Sequence, residues 1–167
     1  GSQGVNVDPN IKNIELYKYL RPKDISCDML LGDSTNPVDF YVYEQPELNT
    51  TNIDKVKKLK LHNIFHLEKK KLIKKNINQF FNEILKNKIS SINFFNLDVE
   101  GSELELIKSI NWKLFKPKII SIEIPFDNID SIYENEICRI LFNNNYKIFS
   151  KLYNSLIFIR KNYEESK

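Results

Sequence analysis

The chain has 167 residues, with 25 Lys and Arg against 22 Asp and Glu for a formal net charge of +3, and it is 41% hydrophobic. That balance excludes a disordered or collagen-like chain and fits one globular domain over residues 1–167. No stretch approaches the roughly 20 consecutive apolar residues that span a bilayer, and the N-terminus lacks the basic-then-apolar pattern of a signal peptide, so a soluble cytoplasmic protein with no membrane partner is expected.

Cys27 and Cys138 lie in hydrophobic segments without metal-type spacing and read as small core residues. The lysines crowd between Lys55 and Lys75, so the basic character is local. Gly1-Ser2 reads as the scar of a removed expression tag.

In chain order, Gly4 to Asp8 alternates small or apolar residues and stops at Pro9, which suits a short strand leading into a helix. Ile11, Ile14 and Tyr17 then recur at helical spacing until Arg21-Pro22, and Ile25 to Leu31 reads as a second buried strand, completing a βαβ unit. Val38, Phe40 and Val42 alternate with Asp39, Tyr41 and Tyr43 as in a half-exposed strand. His62 to Leu67 is expected to form another, with a loop containing Leu48-Asn49-Thr50 between them. Asn76 and Gln79 suggest a capping box for a helix bearing Ile77, Phe80, Phe81, Ile84 and Leu85.

Ile92 to Leu97 is short and apolar, as expected for a strand buried on both faces, and Ser102 with Glu105 repeats the capping-box pattern for the next helix, which Trp112 anchors at its end. Ile119 to Ile124 is a further buried strand stopped by Pro125. Ser131 and Glu134 open a helix carrying Ile137, Ile140 and Leu141. Tyr146 to Ser150 and Leu156 to Arg160 then flank Tyr153-Asn154-Ser155 as a hairpin. Strands alternating with helices predict an α/β fold with a mostly parallel sheet, to which the C-terminal antiparallel hairpin adds an edge strand. Ligands of such sheets lie at the carboxyl ends of the strands.

Two acid-bearing segments sit there. Asp8 ends the first strand, where a carboxylate can accept hydrogen bonds from ribose hydroxyls, though an acid before proline is also a common turn former. Asp98, Glu100 and Glu103 surround Gly101 at the end of the most apolar strand. Asp98 and Glu100 share strand-face parity, so both can point into one site and take a proton from a substrate hydroxyl, whereas Glu103 and Glu105 complement the positive end of the helix.

The segment Phe94 to Glu103 (FFNLDVEGSE), followed by Lys116 to Ile124 (KPKIISIEI), closely resembles the Asp-Val-Glu-Gly signature and succeeding strand of FkbM-type S-adenosylmethionine-dependent methyltransferases. Gly4 to Asn10 (GVNVDPN), Arg21 to Ile25 (RPKDI) and Glu47 to Thr50 (ELNT) follow in the family's order, so the resemblance spans almost the whole chain. It implies a Rossmann-like class I methyltransferase fold, S-adenosylmethionine as cofactor, and a small-molecule or glycan acceptor methylated on a hydroxyl. It also implies that Asp8 binds the cofactor ribose, that Asp33 approaches its adenine, and that Asp98 and Glu100 lie above the transferring methyl group. No complete ligand set is visible, so no metal is expected.

The family pattern has a first strand and a glycine-rich turn upstream of Gly4, and the four glycines here, Gly1, Gly4, Gly32 and Gly101, do not replace that turn. The domain therefore reads as N-terminally incomplete, this chain as an inactive fragment, and its exposed sheet edges as a route to a homodimer that light scattering would detect. Two other readings remain: a non-catalytic methyltransferase-like interaction domain, and a nucleic-acid-binding module using the lysines from Lys55 to Lys75 with nearby Tyr and Phe for stacking. His62 and His66, four apart, read as packing or surface residues.

Overall fold

The computed structural model describes residues 2–85, 92–124 and 129–161. Its contacts divide into two compact units, Gly1–Asn76 and Ile77–Lys167.

The first unit opens with β1 (Val5–Asp8), α1 (Ile11–Leu20) and β2 (Ile25–Asp28), and the two strands pair in parallel from Val5↔Ile25 to Asp8↔Asp28. This is the expected βαβ unit. Asn10 caps α1 through its side chain, which accepts from the Lys12 N–H, and Ile14 is completely buried. The Arg21-Pro-Lys-Asp24 turn closes the unit on its own start. The Asp24 carboxylate accepts the Gly4 N–H at 3.0 Å and the Arg21 Nε–H at 2.9 Å. A Cβ at Gly4 would sit 3.0 Å from Asp24 Oδ2, too close without a shift of the carboxylate.

The Arg21 hydrogen bond, helped by the Gly4 N–H, holds the Asp24 carboxyl below its ordinary value. A depressed carboxyl stabilises the fold above its unfolded pKa and loses that contribution as pH falls through its folded pKa. The stability difference between the wild type and Asp24→Asn is therefore expected to be present at neutral pH and to shrink as pH falls below about 4 and on through the lower folded pKa, as read from denaturant midpoints. A difference independent of pH would contradict this origin.

The remaining strands of this unit form a sheet of order β3 (Leu30–Gly32), β5 (Glu68–Asn76), β4 (Pro37–Val42), with β3 parallel and β4 antiparallel to β5. Two sequence expectations fail here. The strand expected over Ile25 to Leu31 is two strands, β2 and β3, broken at Met29 and only partly buried. His62 to Leu67 is not a strand: α2 (Ile53–Leu61) occupies the expected loop region, and β5 begins at Glu68. Asn52 caps α2 by accepting from the Asp54 and Lys55 N–H groups, and Val56 turns inward onto Tyr41 and Tyr43. The dense lysines hid this amphipathic helix, because only Val56 of its nine residues is buried.

The second unit begins with α3 (Ile77–Phe80), which widens into a π turn over Phe81–Leu85. Its four-stranded sheet has the order β6 (Phe94–Leu97), β7 (Ile119–Glu123), β9 (Ser155–Arg160), β8 (Tyr146–Leu152). Only β6–β7 is parallel in it, so across the described strands parallel and antiparallel pairs are equally frequent. The architecture is mixed α/β rather than mostly parallel. The hairpin inserts β9 beside β7 and leaves β8 at the edge. β6 lies at the opposite end of the order, with Phe94 57% exposed, so it is not buried on both faces.

α4 (Glu103–Ser109) and α5 (Glu136–Asn143) complete the unit. Asn135 caps α5 by accepting from the Ile137 and Cys138 N–H groups, while Ser131 and Glu134 belong to the preceding turn rather than opening the helix. Asn76 ends β5 immediately before α3 and donates to the Asp33 carbonyl, and Ser102, expected to cap α4, makes no side-chain capping bond. Leu106, Ile107, Ile120, Ile122, Leu141, Leu156 and Phe158 are buried together with Phe115 and Tyr146. Trp112 anchors the end of α4 as expected, donating its Nε1–H to the Ile107 carbonyl and meeting Tyr146 edge-on. Both cysteines are free thiols, Cys138 buried and Cys27 half-buried.

Candidate active site

The carboxyl ends of β6 and β7 carry the site. Their parallel register pairs Leu97 with Ile122, so Asp98, just past β6, and Glu123, the last residue of β7, come side by side. Beyond Asp98 the chain turns sharply: Glu100 adopts φ 55° and Gly101 φ 105°, two successive left-handed residues. Gly101 suits that conformation, whereas Glu100 is strained by it. The turn is held by Glu103 in the first turn of α4, whose carboxylate accepts from Val99 N–H at 3.1 Å and Gly101 N–H at 3.0 Å. Glu103 thus serves the helix start, as its position suggests, and also fixes the loop that presents Glu100.

The result is a convergence of three acids. Asp98, Glu100 and Glu123 each offer an oxygen within 4.8 Å of the others, with Asp98 exposed and the other two half-buried. Burial, then the neighbouring carboxylates Asp98 and Glu100, raise the Glu123 pKa, while the Asn154 side chain partly offsets the rise. Like charges this close disfavour one another's ionised forms, and Glu123, the more enclosed of the interacting acids, carries the rise. Oxygen ligands at this spacing could also accept a hard divalent cation.

Glu100→Gly is expected to stabilise the fold by about 1 kcal/mol, since glycine relieves the left-handed strain and one of three crowded charges disappears. Glu100→Ala, which removes the charge but keeps a Cβ, should gain less. Equal denaturant midpoints for the two variants would rule out a backbone contribution.

In the first unit, Asp8 ends β1 and is already engaged: its Oδ1 accepts the Asn10 N–H at 2.7 Å and its Oδ2 the Asn13 Nδ2–H at 2.8 Å. The turn-forming role of an acid before proline is therefore present, and each oxygen keeps a lone pair for a further donor. Asp33 follows β3 with its side chain 53% exposed, 4.0 Å from Lys74 Nζ. Asp8 and Asp33 lie on different sheets of their unit, whereas Asp98 and Glu100 are brought together. In the second unit, a cavity of about 40 Å³ lined by Asn78, Phe81, Asn82, Asn111, Leu114 and Phe115 contains none of the acids.

The family model of the methyltransferase FkbM domain matches residues 1–148. The chain belongs to this family. Comparison with curated proteins and with solved structures yields no significant match. The FkbM match covers the turn from Asp98 to Gly101 and the strand ending at Glu123, so the converging acids lie wholly within the family domain. Sequence reasoning missed Glu123 as a site residue. Its signal was present in Ile122-Glu123-Ile124, an acid interrupting an apolar run at the carboxyl end of the strand after the Asp-Val-Glu-Gly motif.

Proposed function

We propose that this FkbM domain is built for S-adenosylmethionine-dependent methyl transfer to a hydroxyl of a sugar or other small acceptor. The observation that carries the reading is the meeting of Asp98, Glu100 and Glu123 at the ends of two adjacent parallel strands. Bound S-adenosylmethionine supplies a methyl group on a positively charged sulfur. Asp98, the most exposed of the three acids, accepts a hydrogen bond from the acceptor hydroxyl and takes its proton as the new O–CH3 bond forms. The proton taken from the hydroxyl would neutralise the Asp98 carboxylate as the bound cofactor gave up its cationic methyl group, so the charges would balance. Glu123, whose burial favours its protonated form, holds Asp98 by a side-chain hydrogen bond and orients it. Alignment of the reactants supplies much of the remaining acceleration.

Asp8 and Asp33 are the residues offered for the cofactor's ribose and adenine. Asp8 suits the task chemically, since the two side-chain and backbone donors it already binds fix its carboxylate while leaving acceptor capacity. A non-catalytic interaction domain is the second reading. Calorimetric titration with S-adenosylmethionine and S-adenosylhomocysteine separates the two. Saturable binding that weakens in Asp8→Asn supports the enzyme reading. No binding by the folded chain favours the interaction domain.

A further inference from the structure

The connection from α2 to β5 presents an unusual surface. Residues 61–71 are all exposed, and six lysines and no arginine lie between positions 57 and 71; Lys57, Lys69 and Lys70 pair with Asp54, Asp39 and Glu68, while Lys58, Lys60 and Lys71 lie outside these pairs. Among these lysines stand large apolar side chains: Leu61 is 83% exposed, Phe65 60% and Leu67 71%. Ile73, further along β5, is exposed as well. The segment is ordered by its own contacts. His66 sets its ring edge-on against Tyr41 and Tyr43, at 5.1 and 6.1 Å, and the Leu67 N–H donates to the Val42 carbonyl at 2.7 Å. Phe65 and Leu67 flank that anchor and stay in solvent.

We infer that this face docks on an anionic lipid membrane. Lysine charges mixed with exposed aliphatic and aromatic side chains match an acidic headgroup layer above hydrocarbon: the ammonium groups remain at the phosphates and the apolar tips enter below them. The same face suits nucleic acid less well. Tyr41 and Tyr43, the nearest tyrosines, are buried and unavailable for stacking, and lysine without arginine reads bases poorly. No helix among the described residues is long and apolar enough to cross a membrane, so the contact is peripheral. The soluble protein expected from composition thus carries a surface for reversible attachment, and this inference does not depend on catalysis.

Co-sedimentation of the chain with phosphatidylcholine vesicles, with and without phosphatidylserine, tests it. Binding is expected only to the anionic vesicles and should fall as salt is raised. Lys58→Gln/Lys60→Gln/Lys71→Gln should reduce the partition coefficient by about fivefold for each lysine removed. Phe65→Ser/Leu67→Ser should reduce it by about tenfold or more, at unchanged charge. Lys12→Gln/Lys23→Gln/Lys113→Gln, an equal loss of charge elsewhere, should leave it nearly unchanged, and circular dichroism confirms that each variant is folded. Absence of binding to anionic vesicles overturns the proposal. So does binding indifferent to Phe65 and Leu67, which reflects charge alone, or tighter binding to a single-stranded oligonucleotide that survives the apolar substitutions.

Discussion

Asp98→Asn is expected to lower methyl transfer by about 10²–10⁴-fold, the range over which a positioned general base contributes. The substitution keeps the size and shape of the side chain and can still accept a hydrogen bond, but it cannot take the acceptor's proton. Asp98 is exposed beyond the end of β6 and contributes nothing to the core, so the fold should persist. Cofactor affinity should be unchanged, because the residues offered for ribose and adenine lie on other strands. The check is the rate of label transfer from the cofactor methyl group to a hydroxyl acceptor, with cofactor binding measured separately. A variant that transfers at the wild-type rate would show that the acceptor is deprotonated elsewhere or attacks without a base.

Phe115→Ala is expected to destabilise the second unit by about 3–5 kcal/mol, the range for removing a buried aromatic ring. Phe115 is 1% exposed, stacks on Phe81 with centroids 4.1 Å apart and planes 13° from parallel, and meets Phe95 edge-on at 5.0 Å. Its ring joins the segment after α4 both to the π turn that follows α3 and to β6. Truncation therefore leaves a cavity bordered by three elements that cannot all close on it. The fall in melting temperature should be on the order of 10 °C. Leu114→Ala, one residue away but 52% exposed, should move it little, and equal losses would mean that Phe115 is not the keystone of this cluster.

Much of this fold was legible because local chemistry and packing agree. Ile14 lies on the inner face of α1, and the terminal hairpin turns within a residue of where Tyr153 and Asn154 suggested. Helix starts were read less well, because spacing alone does not select the capping residue: Ser102 makes no side-chain capping bond, and Asn135 rather than Ser131 caps α5. The lysines around Val56 masked α2 because helix and strand both tolerate a solvated charged face.

The site was half legible. Parity and the Asp-Val-Glu-Gly motif pointed to Asp98 and Glu100, which do converge. The left-handed backbone at Glu100 shows, however, that a turn rather than strand alternation brings it there. Glu123 carried a local signal as an acid interrupting an apolar run, but its place beside Asp98 follows from the pairing register of β6 with β7, which is non-local. The structure also showed what the motif alone concealed: Glu103 is part of the loop's hydrogen-bonding frame.

The central claim is that Asp98, Glu100 and Glu123 form one interacting carboxylate site, and a pH titration of the Glu123 side-chain carboxyl resonance by NMR tests it most directly. Glu123 should titrate above the ordinary glutamate range of about 4.3, and Asp98→Asn should bring it back toward that value. A raised carboxyl stabilises the fold fully below its unfolded pKa, and that contribution is lost as pH rises through the folded pKa, so Glu123→Gln should gain stability relative to the wild type toward neutral pH. A Glu123 that titrates normally, and does not respond to Asp98, would contradict the account.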